Sequence, residues 1–230
     1  MGINVPTKAA RESAADRAVE RSLARRRSAY ADEVDRLVAA TLRIARATGT
    51  LEPRVSEIVA SAGLSNQAFY KHFRSKHELL VAVLDTGTQQ LAEYLEHRMA
   101  QAAHPLGAVR AWIQGMLQQA LDPDAAEATR PFALARGRLA ESFPEEVAQS
   151  ERRLTEPLRA VIAAGRESGV FPAADPDFDA EALYHLAMGW MQGRLLERSD
   201  AAAESAARLE TFALAGLGVS RAEGGVAGGA

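Results

Sequence analysis

The sequence contains no cysteine, which excludes disulfides, thiolate metal centres and cysteine nucleophiles, and fits a reducing, cytoplasmic compartment. No apolar run approaches the roughly 20 residues needed to cross a bilayer. Lys8 and Arg11 near the amino terminus are followed by no apolar stretch, so a secretory signal is not expected. Zinc has no local framework, because His72, His77, His97, His104 and His185 form no i, i+4 pair. An EF-hand counted from Asp175 would need Gly at its sixth position and Glu at its twelfth. Those positions hold Ala180 and Leu186, so Asp175, Asp177 and Asp179 read as carboxylates at a helix N-terminus, where the dipole favours them. The run from Gly165 to Gly169 places Ser168 fourth instead of third and follows no strand, which rules out a nucleophile elbow. With no convergent acid–base pair either, neither an enzyme nor a bound cofactor or metal is expected.

Apolar residues make up 47% of the 230 residues, enough for a substantial core, and the formal net charge is −3. That total conceals an asymmetry. Residues 1–80 hold 14 Lys and Arg against 9 Asp and Glu, a net of +5, and the remainder holds 13 against 21, a net of −8. A basic first third on an acidic body is the distribution expected when one end touches nucleic acid.

Helical spacing runs through the whole chain, with no β-period alternation and no internal repeat, so the predicted class is all-α. Val34, Leu37, Val38, Thr41, Leu42 and Ala45 define an amphipathic helix closed by Gly49. Ile58, Val59 and Ala62 then mark the buried face of a short helix, and Gly63 breaks it where a tight turn needs positive φ. Ser65 is placed to cap a second short helix. That helix hides Ala68 and Phe69 and turns Asn66, Gln67, Tyr70, Lys71 and His72 outward. Two short helices joined by a glycine turn, the second amide-rich and basic, make a helix-turn-helix. Ser75 and Glu78 next form a capping box. It opens a long helix through Leu79, Leu80, Val83, Leu84, Leu91, Leu95 and Met99, linking the head to the body.

This window resembles the DNA-binding domain of the TetR (tetracycline-repressor-like) transcriptional regulators. The match runs through Ile58, Ala62-Gly63-Leu64-Ser65, Phe69-Tyr70, His72-Phe73, Lys76 and Leu79-Leu80. Arg54 stands where the family usually has Thr, Val59 where it usually has Ala, and Gln67 where Gly is common. The resemblance implies a three-helix head, a helical body for ligand binding and dimerisation, and double-stranded DNA as partner.

The expected organisation is a basic extension (residues 1–29), the helix-turn-helix head (30–80), the ligand-binding and dimerisation body (81–218) and a flexible tail (219–230). In the extension, Arg21, Arg25, Arg26 and Arg27 are candidates to lie along phosphates or in a minor groove; a solvated tail is the alternative. Asn66 and Gln67 can each pair bidentately with adenine in the major groove. Arg54, Ser56, Ser65, Tyr70, Lys71, His72 and Lys76 are candidate backbone contacts that set register. The body is expected to start at His104-Pro105. The Asp122-Pro123-Asp124 turn then leads to a short helix, with a separate segment from Pro131 and a long helix from Pro144.

In that body, Trp112, Met116, Phe132, Leu134, Tyr184, Met188 and Trp190 are candidates for an apolar effector cavity, with His185 and Gln192 as polar anchors. Ordinary core packing is the competing account of the same stripe. Gly189 and Gly193, paired with Leu154, Leu158, Val161 and Ile162, suggest a dimer bundle, and intrachain packing is the alternative. The expected function is a sequence-specific regulator of transcription, a homodimeric repressor released from a near-palindromic operator by a small hydrophobic effector. The rival expectation is a DNA-binding architectural or cell-cycle protein whose body binds a protein partner and no small ligand.

Overall fold

The computed structural model describes residues 14–197 and 202–219. Among them are nine α-helices and no strand, in agreement with the all-α expectation. α1 (Ala14–Thr48), α2 (Val55–Ala62) and α3 (Asn66–His72) form the head, and α4 (Lys76–Ala100) leaves it. α5 (Pro105–Leu121), α6 (Pro123–Ser142), α7 (Pro144–Glu167), α8 (Pro176–Glu197) and α9 (Ala202–Gly216) build the body.

Local chemistry sets the boundaries. Pro105, Pro123, Pro144 and Pro176 each open a helix, where the missing N–H would have had no partner. Asp122 Oδ1 accepts from the Ala125 N–H at 2.9 Å, and His104 Nδ1 from the Gly107 N–H at 3.0 Å. Ser75 Oγ accepts from the Glu78 N–H at 3.2 Å as expected of a capping box. The Glu78 carboxylate, however, accepts from the Arg74 N–H at 2.6 Å, one residue earlier than the standard motif.

One expectation about helix limits needs correction. The segment after Asp122 is not broken at Pro131. α6 passes through it as one 20-residue helix with Pro131 buried inside. Proline there forfeits one hydrogen bond of the ladder. Burial of Ala135 and Leu139 one and two turns later holds the second half in line. The domain boundary placed between residues 29 and 30 lies within α1, which runs through it unbroken. Before Glu33 the described side chains of α1 are exposed, including Val19, Leu23 and Tyr30. Residues 1–13 of the extension and 220–230 of the tail lie outside the described residues; Val219, assigned to the tail, is buried against the body.

Two cores result. The head core gathers Leu37, Val38, Ile58, Val59, Phe69, Phe73, Leu79, Leu80 and Val83, and is completed by Ala135, Leu139 and Val147 from α6 and α7. The body core is centred on Trp112, Met116, Leu158, Ile162 and Phe171. α4 belongs to both, contributing Leu79, Leu80 and Val83 to one and Ala92, Leu95 and Met99 to the other. Its 25 residues reach about 37 Å at about 1.5 Å per residue. A Cβ on Gly115 would lie 2.6 Å from Leu95 Cδ2, so α4 and α5 cross with room only for glycine. α4 is thus a stiff rod clamped at both ends.

Candidate nucleic-acid interface and body cavity

The helix pair is held by chemistry the sequence only partly announces. Gly63 adopts φ +65°, the left-handed conformation that glycine accepts at no cost. The Leu64 N–H then reaches the Val59 carbonyl at 2.8 Å, closing α2. Arg36 from α1 completes the cap. Its Nε donates to the Ala62 carbonyl at 3.0 Å, and its Nη2 to the Ala62 and Gly63 carbonyls at 2.6 and 2.9 Å. Nothing local to Arg36 in sequence signals this role, because its partners lie 26 and 27 residues away. Replacing Arg36 with alanine should cost about 1–2 kcal/mol through the carbonyls it strands. Thermal unfolding measures the loss, and an unchanged Tm would show that water replaces the guanidinium fully.

Ser65 caps α3, accepting from the Ala68 N–H at 3.1 Å. Phe69 is buried beneath, while Asn66, Gln67 and Tyr70 are exposed, Tyr70 at 62%. Lys71 is exposed but engaged: its Nζ lies 3.1 Å from Glu33 Oε2 and 4.2 Å from the centre of the Tyr30 ring. His72 departs from the outward orientation expected of it. Its side chain is fully buried, with Nε2 2.5 Å from Glu33 Oε2 and its ring edge-on to Tyr30 at 4.2 Å. The His72 and Lys71 hydrogen bonds hold the Glu33 carboxyl below its ordinary range, so this group is ionised at neutral pH. His72 therefore fastens α3 to α1 and presents no surface for a phosphate.

Arg54 is exposed at the N-cap of α2. A guanidinium cannot accept a hydrogen bond, so the cap is one-sided: the Arg54 N–H donates to Glu57 Oε2 at 2.9 Å. Ser56 is exposed, and Lys76 is half-buried at the start of α4. Arg21, Arg25, Arg26 and Arg27 are exposed on α1, in the turns leading to Tyr30. Asn66, Gln67, Tyr70 and Lys71 thus share one face of a seven-residue helix, and Tyr30, which follows the arginines on α1, meets α3 beside it.

A cavity of about 320 Å³ lies in the body, at the lower end of the range for small-molecule sites, about 300–1,000 Å³. α4 contributes Leu84, Gly87, Thr88, Leu91 and Tyr94; α6 contributes Phe132, Ala133 and Arg136; α7 contributes Ser150 and Glu151; α8 contributes Tyr184, Met188 and Met191. Of the candidate pocket residues, Phe132, Tyr184 and Met188 line this cavity. Trp112 and Met116 do not: both are fully buried in the body core, and Trp112 Nε1 donates to the Leu154 carbonyl at 3.0 Å. His185 is exposed, 3.6 Å from Glu181. Gln192 is half-buried away from the cavity, Leu134 is exposed, and Trp190 Nε1 donates to Ser205 Oγ at 2.8 Å. The polar groups that line the cavity besides its tyrosines, Thr88, Gln90, Gln119, Thr129, Arg136, Ser150 and Glu151, carried no sequence signal, since they come from four different helices.

The expected dimer bundle also needs revision. Leu154, Leu158 and Ile162 are buried in this chain's own core and are not free to meet a second copy, and Val161 packs half-buried against that core. Gly189 and Gly193 differ. A Cβ at either would meet nothing within 4 Å. They share an outer stripe of α8 with Ala182 and the exposed Phe178 and Leu196, at 69% and 57%. Phe212 of α9 is exposed at 70%.

Residues 37–83, from the core of α1 through the helix-turn-helix to the start of α4, match the family model for bacterial regulatory proteins of the tetR family. Over that window the head is similar to bacterial regulatory proteins of the tetR family. Among curated proteins none matches the sequence. Solved structures of similar fold include a TetR-family transcriptional regulator from Pectobacterium atrosepticum, 23% identical, with a TM-score of 0.67 over 83% of this chain and 94% of that one. The transcriptional regulator FadR from Bacillus subtilis in complex with stearoyl-CoA gives 13% identity and 0.64 over 79% and 97%. RolR in complex with resorcinol gives 18% and 0.64 over 85% and 92%. At these identities the likeness is one of fold, and it extends from the head across the body. No described helix is long and apolar enough to cross a membrane.

Proposed function

We propose that this chain is a tetR-family regulator of transcription, a homodimeric repressor that reads a near-palindromic operator and leaves it when a small apolar molecule fills the body cavity. The observation that carries the reading is the sharing of residues between cavity and head. Leu84, Phe132, Leu139 and Val147 line the cavity and also pack in or against the head core. A ligand touching them acts on the packing that orients α3. It releases DNA only if it binds the arrangement unsuited to the operator more tightly than the one that fits. FadR with stearoyl-CoA and RolR with resorcinol lend support, since each holds a small molecule on the same fold.

In this reading residues 30–80 are the DNA-binding unit and 81–218 the effector and dimer unit. Asn66 and Gln67 read adenines in the major groove, and Tyr70, Lys71, Lys76, Arg54 and Ser56 hold phosphates. Two heads enter grooves whose centres are about 34–36 Å apart. Arg25, Arg26 and Arg27 of α1 add phosphate contacts. The dimer uses the outer stripe of α8 with α9. No step in this scheme calls for catalysis.

Selecting bound duplexes from a random pool, then measuring affinity across a salt series, tests the scheme. A near-palindrome should emerge. The chain lacking residues 1–28 should bind it more weakly, with a salt slope shallower by about 0.9 for each phosphate that the arm had neutralised. An unchanged slope would remove the arm from the interface. Many unrelated sequences in place of one palindrome would favour an architectural protein.

A further inference from the structure

Resting on the effector reading above, we infer that the body cavity selects an uncharged, largely apolar molecule bearing one hydroxyl or carbonyl oxygen, and rejects carboxylates and amines. Arg136 and Glu151 are the charged residues lining it, and they form an ion pair with each other. The pair holds the cavity's net charge near zero and leaves neither ion in need of a counter-charge from a ligand. A carboxylate approaching Arg136 meets Glu151 beside it; an ammonium approaching Glu151 meets Arg136. Like charges so juxtaposed oppose binding.

Tyr184 supplies the directed contact. Arg136 Nη2 donates to its hydroxyl oxygen at 3.3 Å, and burial pushes the phenol upward from its ordinary ionisation range. The group is therefore a neutral phenol whose O–H remains to be donated to an acceptor. An uncharged oxygen suits that donor, while Leu91, Phe132 and Met188 supply apolar wall. At Gly87 a Cβ would lie in van der Waals contact with the Phe132 ring, 3.7 Å from its Cζ, so that ring packs over the bare backbone of α4.

The experiment compares matched probes at neutral pH by isothermal titration calorimetry: 2-naphthol, 2-naphthoate and 2-naphthylmethylammonium, then 1-decanol, decanoate and decylammonium. In the intact chain the alcohols should bind, and both ionic forms of the same skeleton should bind at least about tenfold more weakly. Glu151→Gln keeps the shape and unmasks Arg136, so preference should pass to the carboxylates. Arg136→Met unmasks Glu151, so preference should pass to the amines. Equal binding of all three forms, a carboxylate preference in the intact chain, or failure of both variants to shift preference would overturn the inference. Binding by no neutral member of either series would overturn it as well. Release of DNA, followed by fluorescence anisotropy of labelled operator, separates the two claims. Selective binding without release would retire the effector reading and leave the cavity's selectivity standing.

Discussion

Replacing Asn66 and Gln67 together with alanine is expected to erase most discrimination between operator and unrelated duplex while leaving the hold on generic DNA nearly intact. Both side chains are exposed at the first two positions of α3. Alanine is the best helix former, and the Ser65 cap uses the Ala68 N–H, so the fold has no reason to change. Each good bidentate amide–adenine pair is worth about 1–3 kcal/mol of discrimination. The double substitution should therefore remove about 2–6 kcal/mol, reduced where the adjacent residues are coupled. Phosphate contacts carry the salt-dependent, sequence-independent part of binding, so the slope of affinity against salt should stay as it was. Fluorescence anisotropy on the selected operator and a scrambled duplex, over a salt series, measures both quantities. Equal losses on the two duplexes would mean that the amides position the head and read nothing.

Much of the head was legible because its signals are local. Gly63, Ser65, Ser75 and Gly49 each act within four residues of their own position, through a φ angle or a cap. Phe69 and Ile58 declare themselves by helical spacing. His72 was misread because spacing on a seven-residue helix cannot say which neighbour covers it; the neighbours are Glu33 and Tyr30, which approach from α1 about forty residues away in sequence. Arg36 was missed for the same reason, since its carbonyl partners belong to another helix.

The body was legible as helices and not as a site. Trp112, Met116, Phe132, Tyr184 and Met188 look alike as an aromatic and Met stripe. Whether such a residue faces a void or another side chain depends on how five helices stack. Apolar residues that fill the core and those that line the cavity obey the same periodicity. Arg136 and Glu151, separated by 15 residues on different helices, become a pair only once α6 folds back on α7. The α7 leucines failed as dimer candidates by the same ambiguity. An amphipathic stripe states that a face is covered and leaves open whether the same chain covers it.

That ambiguity makes Gly189 the sharpest probe of assembly. Arginine there should leave the monomer folded, because the site is exposed and a Cβ meets nothing within 4 Å. Leaving glycine inside a helix should even gain up to about 1 kcal/mol. In a two-fold dimer the same patch is used twice, so each substituted copy brings a charge and a long side chain against its partner. If the α8 stripe is the interface, the chain should become monomeric. Operator affinity should then fall by about 10²–10⁴-fold, because the second head is no longer tethered beside the first. Binding to an isolated half-site should not change. Light scattering gives the mass, and titration of operator and half-site gives the two affinities. Phe212→Arg, at a side chain 70% exposed, should act in the same direction if α9 joins the interface. A dimer that persists with arginine at both positions would move the interface elsewhere on the body. Charge at Leu158 would be uninformative by comparison: that side chain is fully buried, and its substitution would unfold the body before any question of pairing arose.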